Sequence, residues 1–152
     1  MKVETLSEML TWSSAIHSQL AEHMSRGAEA NPDGPARWLM EYISKHEARM
    51  ASQLESARDK ADSRALKTWV YEWLEAETGK PEEITEGADR HETIEAVARA
   101  VFDAHEEIMK VVRTVAVRAD IPEVQELIEE VRTLEEGHGR QISQQMNRIG
   151  DM

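Results

Sequence analysis

Glu135 and His138 form a Glu-x-x-His pair, an i, i+3 spacing that sets a carboxylate and an imidazole on one face of a helix. Three further histidines, His17, His46 and His105, interrupt otherwise apolar helical stripes. Neutral imidazole suits Fe, Zn, Cu and Ni, and a carboxylate beside it favours a divalent ion over a soft one. The 152 residues include no cysteine. Any metal site is therefore limited to nitrogen and oxygen ligands, and thiol nucleophiles, disulfide scaffolds and Cys-ligated clusters are excluded. Eighteen Lys+Arg against 30 Asp+Glu give a net charge of -12, which opposes a phosphate backbone, so nucleic acid is not an expected partner. No Gly-rich phosphate loop, nucleophile motif or Ser/His/Asp spacing supports a hydrolase or nucleotide-binding class. The apolar runs are too short to span a membrane, and Met1–Thr5 starts no secretory signal, so the expected location is cytoplasmic.

The elements that must position these residues are helical. Gly and Pro number only 7 and 4, and they cluster at 27–35, 79–87 and 119–122. Thr5-Leu-Ser-Glu8, Asp89-Arg-His-Glu92 and Asp120-Ile-Pro-Glu123 read as capping boxes, and Pro35 suits a first helical turn. The spacing predicts a single all-α domain with four long helices at 5–26, 34–60, 90–118 and 121–149. A crossover at 61–89 is expected to hold a short helix over 63–76, with Leu66, Trp69, Val70 and Trp73 on one stripe. Two hairpins joined by so long a connection form a ferritin-like four-helix bundle, not an up-down-up-down one.

On i, i+3, i+7 tracks the third helix buries Ile94, Val97, Val101, His105, Ile108, Val112 and Val115. The second gives Leu39, Ile43, His46, Met50 and Leu54, and on this track Glu47 points about 100° away from His46. The fourth gives Val124, Leu127, Val131, Leu134 or Glu135, His138, Ile142, Met146 and Ile149. The first gives Leu6, Met9, Ile16 and Leu20, with Leu10, His17 and Met24 on the adjoining row. His17 and His46 lie about equally far from the first hairpin turn, near residue 31, and His105, Glu135 and His138 about as far from the second, near residue 120. At 1.5 Å per residue the offsets amount to at most roughly 4–5 Å. His17, His46, His105, Glu135 and His138 are therefore expected in one mid-bundle layer. There a metal ion would supply the partners whose absence costs on the order of 1–3 kcal/mol per buried polar group.

With these residues the chain resembles the ferritin-like superfamily, including rubrerythrins and small bacterial bundles of that kind. The carriers are the two hairpins with their long crossover and Leu134-Glu135-Glu136-Gly137-His138 on the fourth helix. Members bind two metal ions, usually iron, through a Glu on each of helices 1 and 3 and a Glu-x-x-His on each of helices 2 and 4. Only Glu135 and His138 match residue by residue. His46 matches the second motif's histidine with Ile43 at its glutamate position, and His17 and His105 stand where the other two glutamates would. The resemblance implies a His-rich, degenerate centre of one or two ions, iron before zinc or manganese. It further implies a small oxidant as co-substrate and a role in redox, peroxide or metal handling, with non-haem iron oxidoreductase activity as the corresponding enzyme class.

Other readings stay open at this stage. The histidines could form a metal-free polar network in a helical interaction or regulatory module; haem between two of them ranks last. His23 and His91 are expected at the surface. Gly137 and Gly139, each costing about 1 kcal/mol in a helix, either admit a neighbouring helix or small substrate to the layer or mark a tolerated weakness. Trp69 and Trp73 are expected as a lid or as a homodimer contact.

Overall fold

The computed structural model describes residues 2–74 and 77–151. Four long helices carry the fold: α1 (Leu6–Ala30), α2 (Pro35–Lys60), α5 (Ile94–Arg118) and α6 (Pro122–Gly150), with α3 (Ser63–Leu66) and α4 (Pro81–Ile84) as short pieces of the crossover. Among the described residues no helix is long and apolar enough to cross a membrane.

Thr5 caps α1 as its sequence predicts, its hydroxyl accepting from the Glu8 amide at 3.2 Å, and Pro35 opens α2. α1 runs four residues past its predicted end because Asn31 stops it from outside. The Asn31 side-chain amide donates to the Gly27 carbonyl at 2.8 Å, beside the Asn31 backbone amide at 3.1 Å, and closes the last turn. α5 starts at Ile94, not at 90. Its cap is Thr93, which accepts from the Ala96 amide at 3.1 Å, while Asp89 turns to His23 at 3.4 Å. Nor does Asp120 cap α6: Ile121 holds that position without a side-chain hydrogen bond, and Pro122 needs none for its own nitrogen.

The expected helix over 63–76 is reduced to Ser63–Leu66 and a separate 3-10 turn at Tyr71–Trp73; Ala76, at its predicted end, lies outside the described residues. After Leu66 the chain pairs with the residues that lead into α1. The Leu6 amide donates to the Thr68 carbonyl at 3.0 Å and the Val70 amide to the Glu4 carbonyl at 2.8 Å. The pairing is a single bridge between Thr5 and Trp69; it supplies an acceptor to the first amide of α1, and Tyr71–Trp73 follows as one 3-10 turn. Alternation then buries Val70 completely and leaves Trp69 47% exposed, so the four residues do not share a helical stripe.

From that end of the bundle the crossover climbs along α1. The Trp12 indole donates to the Gly79 carbonyl at 2.8 Å, the Thr85 hydroxyl to Gln19 at 3.1 Å, and the Asn31 amide to the His91 carbonyl at 3.2 Å. Gly27 lacks a side chain where the crossover passes: a Cβ there would lie 3.1 Å from the Asp89 carbonyl oxygen. The connection thus delivers the chain to the far end before α5 begins, so α5 runs antiparallel to α1 and α6 returns parallel to it. α1 packs most extensively on α2, and α6 lies against both α2 and α5. The architecture is a four-helix bundle with a crossover, its core filled by Leu6, Met9, Ile16, Leu20, Leu39, Ile43, Val101, Ile108, Val112 and Val131.

Asn31 joins the end of α1 to the arriving crossover, so Asn31→Ala is expected to remove the side-chain donor of the part-buried His91 carbonyl, leave the Gly27 carbonyl with the backbone amide of residue 31 alone, and cost about 1 kcal/mol of stability. Urea denaturation, with amide exchange at 87–93 rising in parallel, measures this; unchanged stability and exchange would show that the crossover is held elsewhere.

Candidate metal centre

Halfway along the bundle the apolar packing gives way to five polar side chains: His17 from α1, Glu47 from α2, His105 from α5, and Glu135 and His138 from α6. His17, Glu47 and Glu135 are fully buried and His138 is 6% exposed. His17 is the hub. Its Nδ1 lies 2.8 Å from Glu47 Oε2, and its Nε2 lies 2.6 Å from Glu135 Oε1. His138 Nε2 donates to the same Glu47 oxygen at 2.9 Å. His105 Nε2 donates to the Glu135 carbonyl at 3.1 Å and stands 3.3 Å from the Glu135 carboxylate.

Each carboxylate therefore holds two imidazoles, and the two pairs share His17. Burial alone would lower the His17 pKa, but the Glu135 and Glu47 charges and their hydrogen bonds outweigh it and raise the pKa from 6.5 to about 10. Burial alone would raise both glutamates; the His17 charge, with hydrogen bonds from His138 and His17 to Glu47 and from His105 and His17 to Glu135, takes each from 4.5 down to about 2. The metal-free cluster is thus an imidazolium held between two carboxylates. Among the described residues, no buried side-chain nitrogen or oxygen lacks a hydrogen-bond partner.

The structure brings together four of the five residues expected in this layer, and it leaves His46 out. The ring of His46 stacks on Tyr42, centroids 4.1 Å apart, at the margin of the bundle, where burial, then the nearby Arg49 and His138, lower its pKa. Glu47, expected to point away, is the residue that α2 contributes. The displaced register has a sequence signal: Met40 and Ala51 are buried along with Leu39, Ile43, Met50 and Leu54, and including them turns the centre of the stripe from position 46 toward position 47. A stripe drawn only through large aliphatic residues misses this.

Gly139 has a specific role here. A Cβ at that position would stand 3.1 Å from His105 Cε1, so the missing side chain is what lets the His105 ring lie flat enough against α6 to reach Glu135. At Gly137 a Cβ would meet only Arg140, at 3.8 Å, and no helix packs over it.

His17, Glu47 and His138 offer one donor atom each, all within 4.8 Å of one another, a grouping able to hold a metal ion. No family model, curated protein or solved structure matches this chain. The chemistry of the site therefore rests on its own residues.

The pKa directions fix the pH dependence of the metal-free protein. The raised His17 contributes stability that is fully present below pH 6.5 and is lost as pH rises through about 10; the depressed glutamates contribute stability present above pH 4.5 and lost as pH falls toward about 2. Denaturant midpoints in chelator are expected to decline on both sides of the window between pH 4.5 and 6.5, and Glu135→Gln to flatten the alkaline side. An alkaline side unchanged by that substitution would contradict the charge assignment.

Proposed function

We propose that the mid-bundle cluster binds one divalent transition-metal ion, iron(II) by the character of its donors, and that the protein works in redox, peroxide or metal handling. The observation that carries this reading is the buried set of His17, Glu47 and His138, with three donor atoms within 4.8 Å. Two imidazoles and one carboxylate form a nitrogen and oxygen set that suits non-haem Fe(II), with zinc and manganese as competitors. Charge supports it as well, since Glu47 and Glu135 together match a divalent cation where His17 alone now balances one of them.

In this reading the ligands are His17 Nδ1, a Glu47 oxygen and His138 Nε2. His17 Nδ1 must first release the proton it now donates to Glu47, and the His138 proton must sit on Nδ1 instead of Nε2, so ion uptake is coupled to proton release from His17. Glu135 keeps the proton on the opposite side of the ring, His17 Nε2, and so fixes its tautomer and orientation. His105 in turn holds Glu135 in place. When bound, a ferrous ion with only three protein ligands supplies open positions for a small oxidant. The ferritin-like resemblance supports iron and shares Glu135 and His138 with this site, although here Glu135 serves as the orienting carboxylate.

One observation favours a second reading. Every buried side-chain nitrogen and oxygen among the described residues has a hydrogen-bond partner within the protein, as a metal-free helical interaction or regulatory module would require.

Elemental analysis of protein isolated without chelator, paired with thermal midpoints in chelator and in anaerobic Fe(II), separates the two. The metal reading expects close to one ion per chain. Ligand at about 100 times Kd stabilises by about 2.7 kcal/mol, which raises the midpoint of a domain this size by roughly 5–10 °C. Glu47→Gln and His138→Ala are expected to lose the ion, and Glu135→Gln to weaken it about 10–100-fold. A midpoint indifferent to chelator and to Fe(II), with no bound ion, favours the metal-free module.

A further inference from the structure

A groove of about 200 Å³ opens between α2 and α6, lined by residues that include His46, Arg49, Gln53, Gly137, His138 and Gln141. His138 is the one member of the buried cluster that reaches it. On its inner side His138 Nε2 meets Glu47, so the groove leads from solvent to the centre through a single imidazole. Gly137 adds no side chain to this wall, where a Cβ would come within 3.8 Å of the Arg140 guanidinium. Tyr42, stacked on His46, steadies one wall.

The charge of this groove sets it apart from the rest of the molecule. The chain carries 30 acidic residues against 18 basic ones, yet none of the residues lining the groove is acidic. Arg49 is one of several arginines that make no ion pair among the described residues, and it is the one that lines this groove. A guanidinium left free in an acidic protein, flanked by two side-chain amides and two imidazoles, is a fork that matches a carboxylate, two parallel N–H donors to two oxygens. The volume lies below the roughly 300–1,000 Å³ of sites for drug-sized ligands, which limits the occupant to a few heavy atoms.

We propose that this groove binds a small carboxylate, held by Arg49 and seated against His138. The inference extends the proposed function by naming the class of molecule delivered to the centre, and it rests on that reading for its purpose but not for its affinity. Gln53 and Gln141 offer amide donors and acceptors to the remainder of the molecule, and the His138 ring separates it from the buried charges.

Acetate is the probe, titrated against sodium chloride at equal ionic strength, into both chelator-treated and metal-loaded protein, with the imidazole resonances of His46 and His138 and the Arg49 Nε–H signal observed by NMR. The expected result is a saturable shift of these signals with acetate but not chloride, weakened at least tenfold by Arg49→Gln and unchanged by Arg99→Gln on the exposed face of α5. Equal shifts from chloride, or equal effects of the two substitutions, overturn the proposal. So does the absence of a saturable shift in both forms, even if the ion binds as proposed. Saturable, Arg49-dependent binding to a protein that takes up no metal upholds the groove and removes the metal reading alone.

Discussion

His17 lies between two carboxylates that burial alone would drive to their neutral forms. All three groups remain ionised because each compensates the others: the imidazolium holds Glu47 and Glu135 at about 2, and they hold it at about 10. Removing His17 leaves two carboxylates without a counter-charge in a dry layer, where the loss of one partner of a buried pair costs about 3–5 kcal/mol; removing either glutamate leaves the imidazolium paired with the other. The rest of the bundle is arranged around this requirement. α1 and α6 are bridged through His17 and Glu135, α2 enters through Glu47, and α5 through His105. The cluster thus ties all four helices together at one level, and a relative shift of one residue along any helix, about 1.5 Å, would break at least one of its short hydrogen bonds.

The crossover makes that level common to both hairpins. By climbing the length of α1, with contacts at Gly79, Thr85 and His91, it starts α5 at the far end, and α5 and α6 then present His105, Glu135 and His138 at the height of His17. A short connection would have reversed the direction of the second hairpin. The glycines serve the same end: Gly27 where the crossover crosses α1, and Gly139 where His105 meets α6.

Much of this was legible in the sequence. Breaker clusters and caps located the four long helices within a few residues, and the length of the crossover identified the bundle. Counting from the two turns placed His17, His105, Glu135 and His138 at one height, because helical rise is uniform and each hairpin has a short turn. What could not be read depended on choices between near-equivalent neighbours. His46 and Glu47 are adjacent on α2, about 100° apart, and the preference for Glu47 comes from an imidazolium on another helix that no local pattern reveals. Similarly, Asp89 and Thr93 both suit a helix cap, and the decision falls to His23, which draws Asp89 away. The segment after Leu66 has helical spacing, but the Leu6 amide at the start of α1 claims the Thr68 carbonyl, and a bridge from Thr5 to Trp69 interrupts the helix before a 3-10 turn at Tyr71–Trp73.

On the proposed function, one nitrogen of His17 would release its proton to solvent as an ion takes its place, while the other keeps the hydrogen bond that orients the ring. Nitrogen-15 NMR of the His17 imidazole tests this most directly, recorded in chelator at pH 8 and again after one equivalent of Zn(II) as a diamagnetic probe. The account predicts both nitrogens protonated in chelator, and on adding zinc the loss of the Nδ1 proton alone, with the Nε2 proton retained. A neutral His17 at pH 8, or a doubly protonated ring indifferent to zinc, would contradict it.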